Sequence, residues 1–445
     1  MDKTLDVTEA SSLTQDRAPA RDAHPDWGPY AVYALGFLTL ISAFNYLDRS
    51  ILGLALPAIK GEMKVSDTVL GLVSGLAFVV FYSLLGVPIA WLADRYSRRN
   101  IIAIGFAFWS GMTFLTGFVA NIWQLAAARF LMGAGEACGL APSNSILSDV
   151  FRPERRPLAL SIFGTANSIA LLIFFPLLGW IGDHHGWRAM FIAAGVPGMA
   201  LALLFLTVRE PARGATEHRH AQPSFQPESF ATTLRFLAGS RAYVWMLLGS
   251  MGMGANAYAA GAWTPTFLVR VHHLSLTEVA SSIGPLRGIL GAVGILLAGV
   301  VIDRLGRIDQ RWRVRVPAIG CLLLGPAEVL FLLGDATWVW MAGLALTSLL
   351  MLAHVGPMFA AALNVTRVNM RAVATSIMVL FASLLGQAVG PLLAGFLNDA
   401  LQPTFGDSAI RYSLLINAVT AVGAGAAFWL AVPYFEADIR RASEE

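Results

Sequence analysis

Along this chain, apolar runs of about twenty residues alternate with short polar connections. A run of that length makes a helix long enough to cross a hydrocarbon core of about 30 Å. Reading runs against connections predicts twelve spans, at 30–57, 68–93, 100–119, 123–148, 157–182, 188–208, 242–269, 277–302, 315–333, 338–364, 372–398 and 410–434. One long polar stretch breaks the series: "REPARGATEHRHAQPSFQPESF" at 209–230, rich in proline, histidine and charge. It divides the chain into an N-terminal tail (1–28), a six-helix half (29–208), a linker (209–240), a second six-helix half (241–436) and a C-terminal tail (437–445). The predicted class is an all-α integral membrane protein.

Composition agrees with the pattern. Of 445 residues, 56% are hydrophobic and 13% charged, against roughly 45–50% and about 25% in soluble domains. The first 28 residues are polar and mixed in charge, without the basic start, apolar core and cleavage site of a signal peptide. The first span is therefore expected to be retained. Cys138 and Cys321 fall inside apolar runs, which argues against a disulfide. The net charge of +3 is spread over many loops and leaves no nucleic-acid footprint. No P-loop, dinucleotide-binding glycine pattern or HExxH motif occurs, so no cofactor, metal or ATP hydrolysis is expected. An enzyme acting on lipids would need a nucleophile with a placed base, or a metal cluster. His184–His185 and His272–His273 are adjacent pairs rather than ligands at helix-face spacing.

Loop charge sets the orientation. With the N-terminus in the cytoplasm, the far side holds Lys60, Lys64, Arg188, Arg270 and Arg411, while Arg49, Arg129 and Arg287 lie inside spans. The rest of the 31 Lys and Arg then fall in the tails and cytoplasmic loops, which makes both termini cytoplasmic.

The halves look related. "AWLADRYSRR" (90–99) and "GVVIDRLGR" (299–307) occupy matching positions at the cytoplasmic end of the second helix of each half. Asp94, Arg95 and Arg98, with Asp303, Arg304 and Arg307, are therefore expected to form cytoplasmic latches that stabilise one access state. A weaker echo joins "PLLGWIGD" (176–183) to "PLLAGFLND" (391–399). A six-plus-six duplication about a linker suits a carrier with its substrate near the midplane, and argues against a channel.

Specific motifs add to this. The "DRxxRR" and "DRxGR" loops resemble the signature loops of the major facilitator superfamily. "NYLDR" (45–49), "LADRYSRR" (92–99), "AFWS" (107–110), "ARFLMGAGEA" (128–137) and "VREPARG" (208–214) resemble its Spinster family. That resemblance implies the major facilitator fold, with twelve transmembrane helices in two six-helix halves around a central cavity, and alternating access. It also implies a lipid-like amphiphilic substrate such as sphingosine-1-phosphate or a lysophospholipid. Asp48, Arg129 and Glu136 match polar positions that serve substrate binding and proton sensing in Spinster proteins. The chain departs from the signature at Ala90 and Ser97, where glycines are usual. A multi-pass protein of the cell membrane, acting as a monomer with protons and lipid as its partners, is the expectation. An exporter or symporter of small organic anions or drugs is the alternative.

The charges inside the spans carry the functional reading. An ionisable group at a helix centre costs about 2.5–3.5 kcal/mol on insertion scales, which favours groups that face a cavity and pair. Arg129 and Glu136 are two turns apart on one face, and Met132 and Gly133 let a neighbour approach there. Asp48, roughly 18 residues into the first span, is expected to face the cavity and meet Arg129 at similar depth. A carboxylate in a poorly hydrated cavity holds its proton more tightly, and a nearby Arg loosens it. An anionic headgroup that takes Arg129 away from Glu136 or Asp48 would then couple substrate to proton. Arg49, about 100° from Asp48 around the helix, shares a stripe with Ser42 and Asn45 and reads as a network cap or a substrate contact. The glycine- and alanine-rich opening of the seventh span, "GSMGMGANAYAAGAWTP" (249–265), reads as close packing or as a gate, with Asn256, Tyr258 and Trp263 lining the exit. Arg287 and Glu328 are cavity-lining or snorkelling, and His354 is packed or cavity-lining.

Overall fold

The structure, a computed structural model, describes residues 27–213 and 228–444. Residues 1–26 of the expected tail (1–28) and 214–227 of the expected linker (209–240) therefore lie outside the described residues. Everything described is helix or connection, with no strand among the described residues. In chain order the first helices are α1 (Pro29–Met63), α2 (Asp67–Ser74), α3 (Leu76–Ala93), α4 (Arg98–Thr116), α5 (Ile122–Glu136) and α6 (Leu140–Val150). α7 (Arg156–Gly164) and α8 (Ala166–Ile169) lead through a π-helical turn, Ala170–Phe174, into α9 (Phe175–Phe205). Next come α10 (Phe230–Ala238), α11 (Arg241–His272) and α12 (Leu276–Pro285), then a second π-helical turn, Leu286–Leu290, and α13 (Gly291–Leu305). The series closes with α14 (Trp312–Leu333), α15 (Thr337–Met351), α16 (Val355–Asn364), α17 (Arg371–Phe405), α18 (Ala409–Ser413) and α19 (Leu415–Glu444).

Local chemistry explains the ends. α1 starts on a proline, whose missing N–H is no loss in the first turn. α4 starts from Ser97, whose hydroxyl accepts from the Asn100 N–H at 3.3 Å. The serine found in place of the usual signature glycine therefore acts as a cap. α1 and α11 end alike, with Lys64 (φ 51°) and His273 (φ 54°) in the left-handed region. Among the described residues, seven helical stretches are long and apolar enough to cross a membrane. One of them, 156–205, holds 50 residues. That is about 75 Å of helix, more than twice a single crossing. Gly186 (φ 80°) breaks its helical path.

Packing sorts the helices into two groups with three cores. One core joins α1, α3, α4 and α9 through Phe44, Phe78, Phe106 and Trp109. Another joins α11, α14, α17 and α19 through Tyr243, Met246, Phe428 and Phe435. The third is shared, with Ile51, Leu52 and Phe191 of the first group buried against Trp263, Phe267 and Val279 of the second. This shared core lies at the end that carries the 63–67 and 272–276 connections. Among the described residues, no hydrogen bond or ion pair joins the two groups at the opposite end, and those that do join them, such as Asp67–Arg270 and Thr68–Asp399, lie toward the shared core. α11 is unbroken, and its glycines pack: a Cβ on Gly254 would come within 2.1 Å of the Ala382 carbonyl of α17. Of the two readings of that segment, this structure holds the close-packing one.

Candidate functional site

Between the groups lies a cavity of about 650 Å³, bounded by α1, α3, α4, α5, α6, α7, α11 and α17. It runs from Arg49, Tyr258 and Gln387 toward the end away from the shared core, marked by Gly86 and Thr375. Arg49 and Glu136 are the charged residues among its lining. Glu136, at the end of α5, has no exposed side-chain surface. Its Oε2 accepts from Arg49 Nε at 2.9 Å and from Asn45 Nδ2 at 2.8 Å, while Oε1 is buried with no partner. The Arg49 guanidinium lies 4.9 Å and 4.8 Å from the ring centres of Phe78 and Tyr82. A cation stacked on two aromatic faces and held by a carboxylate is fixed in direction, and its remaining N–H groups are presented to the cavity.

The structure redistributes the predicted roles. Arg49, Asn45 and Glu136 come together at the cavity head. Asp48 does not line the cavity: it is 1% exposed, points away from Arg49 and is surrounded by Glu136, Thr113, Arg129 and Trp109. The roughly 100° between successive residues sends one neighbour into the cavity and the other into the core. Arg129 is equally buried; it donates to the Asp48 backbone carbonyl at 3.1 Å and lies 5.2 Å from the Phe78 ring centre. No ion pair joins Arg129 to Glu136 or Asp48 among the described residues, so the cation on Glu136 is Arg49. Gly133 does let a neighbour in, because a Cβ there would fall 2.4 Å from the Phe78 carbonyl of α3.

In the second group, Tyr258 lines the cavity, but Asn256 and Trp263 do not. Asn256 is fully buried and donates to Glu328 Oε1 and to the Asn417 carbonyl, both at 2.9 Å; Trp263 donates to the Pro391 carbonyl at 2.9 Å. Both face helix–helix contacts because α11 packs on α17 and α19 along that side. Arg287 lines a separate cavity of about 180 Å³ and donates to Thr264 Oγ1 at 2.9 Å. His354 is packed, its Nδ1 3.0 Å from the Met351 carbonyl and its ring against Phe428.

The signature loops differ between the halves. Arg98 is 2% exposed and bonds Asp149, Glu210 Oε1 (2.8 Å), Ser145 Oγ (2.9 Å) and the Pro211 carbonyl (2.9 Å). Arg213 donates to the carbonyls of Asp94, Ala93 and Tyr96, and Arg95 stacks on Trp91. Burial pushes the Glu210 carboxyl up, but the Arg99 N–H, the Arg98 guanidinium and the Ser97 hydroxyl outweigh it and hold it below the usual carboxylate range. This cluster binds the start of the linker to the first group. Asp303, Arg304 and Arg307 are exposed and make no ion pair among the described residues.

Residues 38–386 match the family model of the Major Facilitator Superfamily. Human protein spinster homolog 1 is 31% identical over 91% of this chain and 81% of its own length. The chain belongs to the Spinster family of the Major Facilitator Superfamily. It is a multi-pass membrane transporter and not an enzyme. An MFS-type efflux pump of Mycolicibacterium smegmatis is 29% identical, covering 93% of this chain and 95% of the pump. The crystal structure of a bacterial homolog to human lysosomal transporter Spinster, in inward-facing and unoccupied conformation, superposes with a TM-score of 0.80 at 26% identity, covering 92% of this chain and 98% of that one. For this Spinster-family chain, the motifs singled out Arg49 and Glu136 but paired Glu136 with Arg129, and they missed the wall opposite. Thr375, Ser376, Ser383 and Gln387 of α17 line the cavity with Val379, Leu380 and Leu384. Their three- and four-residue spacing marks one helix face and was readable, although no charge draws attention to it.

Proposed function

We propose that this Spinster-family transporter carries an amphiphilic, lipid-like anion by alternating access and couples its movement to a proton. The reading assigns twelve spans in the cell membrane, with both termini and the open mouth of the cavity in the cytoplasm, as the Lys and Arg distribution implies. The observation that carries it is the single charged pair, Arg49–Glu136, at the head of a cavity whose α17 wall is apolar in alternate turns. An anionic headgroup competes with Glu136 for the stacked Arg49 guanidinium. Glu136, already without a partner on Oε1, then loses its cation and is neutralised by a proton, since an unpaired buried carboxylate is costly. The tail lies along Val379, Leu380 and Leu384. Asn45 keeps one donor on Glu136 in either state and so positions it.

Proteoliposome flux of a fluorescent lysophospholipid, with and without a pH gradient, tests this. Wild type is expected to show gradient-stimulated flux, Glu136→Gln to lose the stimulation, and Arg49→Ala to lose the flux. Folded protein that moves no lipid under any gradient would overturn the substrate class. Small organic anions are the second reading, favoured by the likeness to an efflux pump and by the polar residues Thr375, Ser376, Ser383 and Gln387 on the α17 wall. They enter the same assay as competitors.

A further inference from the structure

The end of the molecule where the two groups share a core is held by two sets of contacts that repeat each other across the halves. In one, Asp399 at the end of α17 reaches the start of α2. Its Oδ1 accepts from the Asp67 N–H at 2.9 Å, and its Oδ2 accepts from the Thr68 N–H at 2.8 Å and the Thr68 hydroxyl at 2.6 Å. In the other, Asp183 of α9 reaches the start of α12. Its Oδ1 accepts from the Leu276 N–H at 2.9 Å, and its Oδ2 accepts from the Thr277 N–H at 2.8 Å and the Thr277 hydroxyl at 2.5 Å. Each carboxylate belongs to one group and each helix start to the other.

The surroundings repeat as well. Both receiving helices are preceded by a left-handed residue, Lys64 or His273, and read Ser-x-Thr, at 66–68 and 275–277. Ser66 and Ser275 cap the third N–H of their own helix. The first two N–H groups, which no helix can satisfy internally, go to the aspartate from the other group. Four residues before each aspartate stands a glycine on the carbonyl of the first helical residue: a Cβ would meet Asp67 O at 2.2 Å from Gly395 and Leu276 O at 2.6 Å from Gly179. Nine residues after each serine a glycine again meets a carbonyl of the other group, Gly75 at Gln387 O (2.1 Å) and Gly284 at Leu171 O (2.3 Å). The faint echo "GWIGD" and "GFLND" is thus one half of a matched seam, and the two Ser-x-Thr helix starts are the other.

We propose that Asp183 and Asp399 are paired latches that shut this end of the transporter in one access state and release it in the other. A carboxylate on amide N–H groups at a helix start is a strong, charge-assisted contact that also favours the positive end of the helix dipole. These N–H groups sit at connections, where water replaces the carboxylate when the latch opens, so release leaves nothing buried and unpaired. The glycines keep the closed seam tight without side chains that would interlock and block separation. The salt bridges of Asp67 to Arg270 (2.7 Å) and Lys60 (2.9 Å) sit beside one latch and have no counterpart in the other, which has Leu276 in the matching place. The element shared by both sides is the aspartate on Ser-x-Thr.

This inference rests on the alternating-access reading, and one measurement separates the two. Spin labels on Gly61→Cys and Gln402→Cys, exposed positions on opposite groups at the closed end, report its opening by double electron–electron resonance in a Cys138→Ala/Cys321→Ala background. Asp399→Asn and Asp183→Asn are each expected to raise the ratio of long to short distances roughly tenfold, and together about a hundredfold. Asp335→Asn breaks the Arg411 pair inside the second group at the same end and is expected to leave the ratio unchanged. Should the asparagine variants not fold, Thr68→Ala and Thr277→Ala remove one donor each and are expected to shift the ratio in the same direction by a smaller factor. Unshifted distances in folded latch variants, with a wild type that opens when substrate is added, would overturn the latches alone. A wild type that never opens under substrate or pH gradient would overturn alternating access.

Discussion

Arg49→Ala strips Glu136 of its cation, and the structure sets the size of the effect. The Glu136 side chain is 0% exposed and that of Arg49 is 20% exposed, at 2.9 Å. With charge centres about 4 Å apart and an effective dielectric near 20, the attraction is about 4 kcal/mol. The exposed edge of Arg49 faces the cavity, and solvent screening there leaves roughly half, about 2 kcal/mol, as net coupling. Either single truncation is expected to cost about 3–5 kcal/mol in all, the lost coupling included, because it leaves the other charge buried and unpaired. The loss of stacking on Phe78 and Tyr82 adds about 0.5–2 kcal/mol to the Arg49 variant, but it enters both arms of a double-mutant cycle and cancels. Unfolding free energies of wild type, Arg49→Ala, Glu136→Ala and the double variant, from denaturant titration in mixed micelles, are therefore expected to fall short of additivity by about 2 kcal/mol. The same cycle with Arg129→Ala is expected to give a clearly smaller coupling, because Arg129 forms no ion pair with Glu136. Additive effects for Arg49, or a larger coupling for Arg129, would refute the pairing on which the headgroup site depends.

Three further outcomes follow from individual contacts. Gly133→Ala drives a Cβ to 2.4 Å from a backbone carbonyl that cannot swing away, so α3 and α5 must part; a loss of about 1–3 kcal/mol is expected by the same titration, with weaker substrate binding because Phe78 moves with α3. Glu210, held below its usual range when folded, contributes stability that is present above the unfolded value of about 4.3 and is lost as pH falls through its folded value. Melting curves are accordingly expected to separate wild type from Glu210→Gln at pH 7 and to converge as pH falls through the folded value; a gap that does not change with pH would count against the Arg98 cluster. Glu328 and Asn256 each have one buried oxygen without a partner, Oε2 and Oδ1. Glu328→Gln supplies a donor in that place and is expected to hold or raise the melting temperature, whereas Glu328→Ala leaves a cavity and an orphaned amide and lowers stability by about 2–4 kcal/mol.

What could be read in advance followed a physical division. The all-helical, membrane-spanning class was legible because transfer into hydrocarbon acts on every residue of a run, and seven stretches among the described residues are long and apolar enough to cross a membrane, against twelve spans expected. That charges inside the spans would gather was legible, since Asp48, Arg129 and Glu136 are costly in a membrane unless they pair, although the cation on Glu136 is Arg49 and not Arg129. Which member faces the cavity was not, because Asp48 and Arg49 are adjacent and only the rotational setting of α1 against α5 decides between them. That setting depends on contacts such as Gly133 against Phe78, made between residues far apart in the chain. The closed seam shows the same limit from the other side. Asp183, Asp399 and the two Ser-x-Thr starts stand in the sequence at repeating distances, yet each carries an ordinary polar side chain at a helix end, where such residues are common. They become a device when four of them meet across two halves. A search for repeated spacings between the halves, rather than for unusual residues, would have found the Gly-x-x-x-Asp and Ser-x-Thr pairs. It would not have shown that each pair is completed by the opposite half, because a duplicated sequence is equally consistent with each aspartate capping a helix of its own half.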